Sequence, residues 1–166
     1  LNGYINIKIN IIVLNWNNKE FLDRCFNSLK NLDFDKEEYE VIMADNGSTD
    51  GSVEFVKKKF PFVKIVENGD NIGFASGNNQ GAKIAKGKYI IFLNPDTEVD
   101  KNWLKELVRV ADSDPKIAIC TSKQILPDRK TILYAGGAIN FIGLSFSEGM
   151  LEKDNNESDI RETASL

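Results

Sequence analysis

Residues 89–100 read YIIFLNPDTEVD. Tyr89-Ile90-Ile91-Phe92-Leu93 is a short, unbroken apolar run rich in aromatic and β-branched residues. That is the pattern of a strand covered on both faces. The run stops at Asn94-Pro95-Asp96. Proline lacks an N–H, so it fits poorly inside a sheet and well just past its edge. The strand therefore delivers an amide and a carboxylate, two residues apart, at its carboxyl end.

The same grammar recurs on either side. IKINIIVL (7–14), YEVIMAD (39–45) and VKIVEN (63–68) read as strands, and KIAIC (116–120) reads as a fifth. Between them lie helical patterns. In residues 17–32, Phe21, Leu22, Cys25, Phe26, Leu29 and Leu32 share one face, with Asn17 as the expected cap and Glu20 in the capping-box position. SVEFVKKKF (52–60) is a short helix with Asp50 as its expected N-cap. Residues 71–87 begin loose and end helical, with Gly87 as the expected stop. Asp100 is placed to cap KNWLKELVRVAD (101–112). Strands alternating with helices predict a mainly parallel sheet in a three-layer α/β/α fold.

In such sheets ligands bind outside the carboxyl ends of the strands, and that is where the polar clusters fall. NWNN follows the first strand, DNGSTD the second and NPDTE the fourth. Asn94 and Asp96 offer hard oxygen donors suited to Mg²⁺ or Mn²⁺; read alone, they would equally make a turn or a cap. Asp45 closes a strand, where it can accept from a ribose hydroxyl or a base N–H, or tie the turn at Gly47. The glycines of NIGFASGNNQG (71–81) allow close backbone approach beside a helix start. Trp16 is open to either the core or a base.

From about residue 122 the pattern degrades. ILYAGGAINFIGLSF (132–146) predicts a short strand and a loop, and the acidic stretch 147–166 a mobile loop or frayed tail. The domain reading is an α/β region over 1–121 and the start of a second region over 122–166.

Composition narrows the chemistry. A net charge of −4 argues against nucleic acid as the main partner. The absence of histidine among the 166 residues excludes His-based acid–base or metal chemistry within this chain. Cys25 and Cys120 stand far apart in apolar surroundings and read as reduced core residues. No stretch reaches the length of a transmembrane segment, and the first residues lack the features of a signal peptide. Cytoplasmic location is the expectation, with peripheral attachment at the inner face of a membrane for the intact protein. The sequons at Asn46 and Asn156 are then chance matches. Nothing in the pattern fixes an oligomeric state.

IIVLNWNN, VIMADNGSTDGS, NIGFASGNNQG and IFLNPDTEVD, in this order and spacing, resemble the family 2 glycosyltransferases over about residues 8–121. NPDTEV and ILYAGGAINFIG look most like the rhamnosyltransferase-like branch. The resemblance implies the GT-A fold, a UDP-, GDP- or dTDP-sugar donor, a divalent metal, and inverting transfer to a glycan or lipid-linked acceptor in polysaccharide biosynthesis. It implies that 1–121 is the nucleotide-sugar-binding region and 122–166 the start of the acceptor side. By position it implies that Leu14, Asn15 and Asn17 line the nucleotide pocket and that Asp45 contacts base or ribose. It further implies that Asn71, Gly73 and Asn79 close over the nucleoside, and that Asp96 with Asn94 holds the metal. The family's metal motif begins with Asp where this chain has Asn94, and Asn78 stands where many relatives carry Arg. The family's catalytic base lies in the acceptor half, beyond the position of Leu166, so the chain looks like the donor part of a longer enzyme. The alternative is a catalytically incomplete nucleotide-sugar binding module. A dinucleotide-dependent oxidoreductase would need a glycine fingerprint after the first strand, and NWNNKE has none. An aspartate phosphoacceptor domain would need acidic residues at the end of the first strand, which here ends in Asn15.

Overall fold

The computed structural model describes residues 7–135, 137–139, 145–147 and 150–154, with only the backbone of 137–139 and 145–147. The chain divides into two compact units, Leu1–Lys105 and Glu106–Leu166.

The first unit is a parallel sheet. Its strands are β1 (Ile9–Asn15), β2 (Tyr39–Asp45), β3 (Val63–Glu67) and β4 (Tyr89–Leu93), in the order β3-β2-β1-β4. The central strands are mostly apolar because both faces are covered: Ile9, Ile11, Ile12, Val13, Ile42 and Met43 have no exposed surface. Helices α1 (Lys19–Lys30), α2 (Ser52–Lys59) and α3 (Phe74–Ile84) make the crossovers. Right-handed connections from β1 through β3 put α1 and α2 on one face, and the reversal from β3 to β4 puts α3 on the other. Packing agrees, since α1 touches α2 while α3 lies over β1 and β2.

α1 buries Leu22, Cys25, Phe26 and Leu29, spaced three and four apart. Each such side chain contributes about 1.5–3 kcal/mol on burial. Phe26 meets Phe60 with ring centroids 5.4 Å apart, joining α1 to the end of α2. On the other face α3 approaches the sheet through glycine. A Cβ on Gly81 would lie 2.7 Å from Ile12 Cγ2, and one on Gly77 only 2.5 Å from Leu14 Cδ1.

Several expectations are corrected here. Strand β4 is not covered on both faces. It has β1 on one side only among the described residues, α3 covers β1 and β2 instead, and Phe92 is 54% exposed. Residues 116–120 form no strand, and Ile119 is 88% exposed. An apolar run signals a strand but supplies no partner, and this one has none among the described residues. Asn17 does not cap α1. It adopts φ 54°, and the helix begins after Asn18 with no side-chain cap from its own turn. Gly87 does not stop α3, which ends at Ile84. Instead Gly87 lies against the start of β1, where a Cβ would fall 2.7 Å from the Lys8 carbonyl oxygen. There the buried Asn10 Oδ1 accepts from the amides of Lys86 (3.0 Å) and Gly87 (2.7 Å), while its Nδ2 donates to Glu40 Oε2 at 3.0 Å. Asp100 shapes the turn that leads into the next helix, α4 (Trp103–Ala111): its side chain accepts from the Asn102 amide at 2.8 Å and its carbonyl from the Trp103 amide at 3.0 Å.

The second unit contains two antiparallel pairs. β5 (Gln124–Ile125) pairs with β6 (Ile132–Tyr134), and β7 (Gly137–Ile139) pairs with β8 (Ser145–Ser147). Asp128 holds the turn between the first two, accepting from the amides of Lys130 and Thr131, both at 2.9 Å. Residues 150–154 are not frayed. The amides of Leu151 and Asp154 donate to Ile132 and Lys130 carbonyls, and the Ile132 amide donates to Glu152. The remainder of the expected tail, including Asn156, lies outside the described residues. Cys120 is half-buried and Cys25 buried, and both are free thiols. Among the described residues no helix is long and apolar enough to cross a membrane.

Gly87→Ala is expected to destabilise the chain by about 1–3 kcal/mol, because the colliding atom is backbone and cannot rotate away. A urea titration checks this; an unchanged midpoint would show that the β1 approach tolerates a methyl group.

Candidate functional site at the carboxyl edge of the sheet

Parallel pairing sets Asn15 beside Asp45 in register, so both side chains leave the sheet on the same face at its carboxyl edge. Asn15 is fully buried and Asp45 is 2% exposed. Water cannot satisfy them, so they satisfy each other. Asn15 Nδ2 donates to Asp45 Oδ1 at 2.8 Å and to Ser48 Oγ at 3.0 Å. The Ser48 hydroxyl donates to Asp45 Oδ1 at 2.6 Å, and its amide to Asp45 Oδ2 at 2.9 Å. A carboxylate offers roughly four acceptor positions; three are filled from within the protein, and the one left is on Oδ2. Asn15 Oδ1 is the only buried side-chain polar atom among the described residues that lacks a partner.

The turn after β2 gathers the neighbouring loops. Gly47 sits at φ 69°, with its Cα so close to Gly69 that a Cβ would lie 2.6 Å from the Gly69 carbonyl oxygen. Asn17 joins the same turn: its amide donates to Ser48 Oγ at 2.9 Å, and its Oδ1 accepts from the Thr49 amide at 2.8 Å. Asp50 serves two helices. Its Oδ2 accepts from the Lys19 amide at the start of α1 (2.9 Å), and its Oδ1 from the Ser52 amide (3.0 Å) and the Ser52 hydroxyl. The N-cap of α2 is therefore Gly51, at φ 77°, and not the expected Asp50, which lies one residue earlier and serves the first amide of each helix.

Asn71 and Gly73 reach the site through Asn46. Asn46 Nδ2 donates to Asn71 Oδ1 (3.3 Å) and to the Gly73 carbonyl (3.2 Å), and its Oδ1 accepts from Asn68 Nδ2 at 2.8 Å. Leu14 sits beneath Gly77 on the same side. Asn79 lies on α3, exposed to solvent. Asn78 is buried and donates to the Phe74 carbonyl at 3.1 Å, a contact within its own helix. Trp16 is half exposed, so it is not a core residue.

Asn94 and Asp96 leave β4 at the same edge, since Leu93 pairs with Val13 two residues before Asn15. The Thr97 amide donates to the Asn94 carbonyl at 3.2 Å, closing a turn around Pro95. The following residues then run down α1. Asp96 comes near Cys25, the Val99 amide donates to Ser28 Oγ at 3.1 Å, and the Asp33 amide donates to the Lys101 carbonyl at 2.8 Å. Burial, and then the Asp96 carboxylate, push the Cys25 thiol up to about 12. Both Asn94 and Asp96 side chains are exposed.

A family-implied divalent metal can be tested against this donor set. Among the described residues no three acidic, cysteine or histidine side chains gather into a cation site. One exposed carboxylate with a neighbouring amide is not a protein cage. It does fit an ion that takes most of its shell from water and phosphate oxygens, as Mg²⁺ and Mn²⁺ do.

Ser48 and Asn46 were missed as site residues by the sequence reading. Both belong to the quoted DNGSTD cluster, and their signal was the need of a buried Asp45 and a close Gly47 turn for local donors and acceptors.

Comparison with known proteins bears on the same stretch. The family model for glycosyl transferase family 2 matches residues 10–164. A poly(ribitol-phosphate) beta-glucosyltransferase of Bacillus spizizenii is 37% identical over 102 residues, covering 59% of this chain and 16% of that protein. A cholesterol galactosyltransferase of Borreliella burgdorferi is 30% identical over 117 residues, covering 69% of this chain and 32% of that protein. The chain thus spans less than a third of these relatives. Among solved structures, Staphylococcus aureus TarS in complex with UDP aligns with a TM-score of 0.60 at 29% identity, covering 64% of this chain and 32% of that one. A Pyrobaculum calidifontis mannosyltransferase, solved with GDP-Man and Mn²⁺, aligns with a TM-score of 0.64 at 21% identity, covering 70% and 36%, and shows the shared fold. The fold is GT-A.

Asp50 supplies a pH test. Although partial burial pushes its carboxyl up, hydrogen bonds from the Ser52 hydroxyl and the Lys19 and Ser52 amides outweigh that and hold it below its ordinary value of 3.8. The folded pKa is depressed, so the stabilisation is present above the unfolded value and is lost as pH falls through the folded one. Asp50→Ala should be less stable than wild type at pH 7, with the gap narrowing below about pH 4. Urea midpoints between pH 3 and 7 check this; a constant gap would mean that the two helix starts do not depend on the charge.

Proposed function

The chain belongs to glycosyl transferase family 2, and from that membership we propose that it is the donor-binding part of an enzyme moving a sugar from a nucleotide-diphospho-sugar to a glycan or lipid-linked acceptor. The observation that carries this reading is the convergence of residues from separate loops on one carboxyl edge. Asn15, Asn17, Asp45 and Ser48 form one hydrogen-bonded corner, with Asn71 and Gly73 tied to it through Asn46. Asn94 and Asp96 exit from the strand next to β1.

In this reading Leu14, Asn15, Asn17 and Asp45 hold the nucleoside, and Asn71, Gly73 and Asn79 close over it. The free acceptor position on Asp45 Oδ2 takes a ribose hydroxyl or a base N–H. Asp96, assisted by Asn94, holds the divalent ion. When bound, that ion supplies charge stabilisation to the departing diphosphate. Residues 1–121 make up the donor region, and 122–166 begin the acceptor side. Transfer inverts the anomeric carbon, with the acceptor hydroxyl as nucleophile and a carboxylate as its base; no residue of this chain is assigned that proton. The rhamnosyltransferase-like reading rests on residues 94–99 and 132–143 of the sequence alone, while the relatives' names include glucosyl-, galactosyl- and N-acetylglucosaminyltransferases. The nucleotide is therefore what the experiment reads.

Calorimetric titration with UDP, GDP and dTDP, with and without Mn²⁺, tests the proposal. One nucleotide is expected to bind in a metal-dependent manner, and Asp96→Ala should weaken that binding at least about tenfold while leaving the fold intact, because Asp96 is exposed. Binding of no nucleotide by the folded chain would contradict the donor assignment. Binding with no transfer or hydrolysis of the matching sugar nucleotide would favour the binding-module alternative.

A further inference from the structure

Asn46 follows the last residue of β2, and its side chain reaches no solvent, being 2% exposed. Its backbone amide continues the sheet by donating to the Asn15 carbonyl at 2.8 Å. Its side chain uses both ends of the amide. The NH₂ donates to Asn71 Oδ1 and the Gly73 carbonyl, and the oxygen accepts from Asn68 Nδ2. Asn71 Oδ1 also accepts from the Gly73 amide at 3.0 Å, so Asn46 meets a small preformed turn. Gly77, one turn into α3, lacks a side chain where a Cβ would come within 2.7 Å of Asn46 Oδ1. Beyond these contacts residues 71–76 are all exposed, and Phe74 is 67% exposed.

We propose that Asn46 is a positioning residue that latches the 68–76 segment and the start of α3 to the carboxyl end of β2, and so sets nucleotide affinity without touching the nucleotide. The role rests on the reading above that residues 71–79 close over the nucleoside. The chemistry selects an amide. Aspartate at this position keeps the acceptor for Asn68 but cannot donate, and it sets a carboxylate against Asn71 Oδ1 and the Gly73 carbonyl. Asn71 can turn its own amide to donate to that carboxylate only by giving up the Gly73 amide. Alanine removes all three hydrogen bonds, and their partners, half-buried Asn68 and exposed Asn71 and Gly73, are left to water.

The test uses the whole chain and two readouts. Hydrogen exchange of the free protein compares amides 70–77 with those of β1, and calorimetry measures the nucleotide that wild type binds. Asn46→Asp is expected to speed exchange in 70–77 about tenfold or more with β1 unchanged, and to weaken nucleotide binding by a similar factor. Asn46→Ala and Asn71→Ala should be non-additive in both readouts, because each removes the same contact. If Asn46→Asp does not fold, Asn71→Ala decides by the exchange of amides 74–77 alone, since Asn71 is exposed and its loss leaves the core intact, while it binds the Gly73 amide itself and is placed at the nucleotide. Unchanged exchange in 70–77, or acceleration only in step with β1, would overturn the latch. If wild type binds no nucleotide, the donor reading fails, and the exchange result still decides whether Asn46 holds the segment.

Discussion

The Asp45 carboxylate is shut off from water at the point where β2 must become a loop. A buried carboxylate is costly unless hydrogen bonds meet it from inside, and this requirement organises everything around it. Ser48 must be placed by a tight turn so that both its amide and its hydroxyl reach back. The tight turn brings Gly47 against Gly69 with no space for a side chain. Asn15 must sit in register on the neighbouring strand, which the parallel pairing of β1 and β2 provides. Asp50, two residues beyond Ser48, then lies where the first turns of α1 and α2 both need an acceptor. The corner is therefore a structural knot, and its internal bonds leave over one lone-pair position on Asp45 and the buried, unmatched Asn15 Oδ1.

The two faces of the sheet meet this corner differently. On the α1 and α2 face the joint is made by charge and hydrogen bonding. On the α3 face it is made by the absence of side chains, with Gly77 over Leu14 and Gly81 over Ile12. Bringing α3 this close lets Asn46 reach the 71–73 turn. Strand β4 supplies the third contribution at the same edge. Its exit is fixed by Pro95 and by the anchoring of the next residues along α1 through Ser28 and Asp33. Asp96 is thus directed by a loop that is itself held, while its carboxylate stays in solvent.

Much of this was legible in the sequence. Apolar runs separated by three-and-four spacing gave the strands and helices of the first unit, and the position of NWNN, DNGSTD and NPDTE after strands located the edge. What sequence patterns cannot carry is a partner. The run 116–120 has strand composition and, among the described residues, no neighbour to pair with, and β4 is apolar on a face that no described element covers. Asn17 and Gly87 have the composition of a cap and a stop, but long-range contacts claim them. Asn17 is taken by the Ser48–Thr49 turn, and Gly87 by the close approach to Lys8. Ser48 and Asn46 escaped notice because their importance lies in whom they touch across 22 to 33 residues of chain, not in their type.

The claim at the centre of this account is that four separate loops form one ligand site at the carboxyl edge. Amide NMR spectra of the labelled chain, recorded while the binding nucleotide is added with Mg²⁺, test it most directly. The account predicts that shifts cluster at Asn15–Asn17, Asp45–Ser48, Asn71–Gly73 and Asp96–Thr97, with the amino ends of the strands unmoved. Shifts confined to the surface depression lined by Glu20, Asp23 and Phe55, or spread along the exposed face of β4, would contradict it.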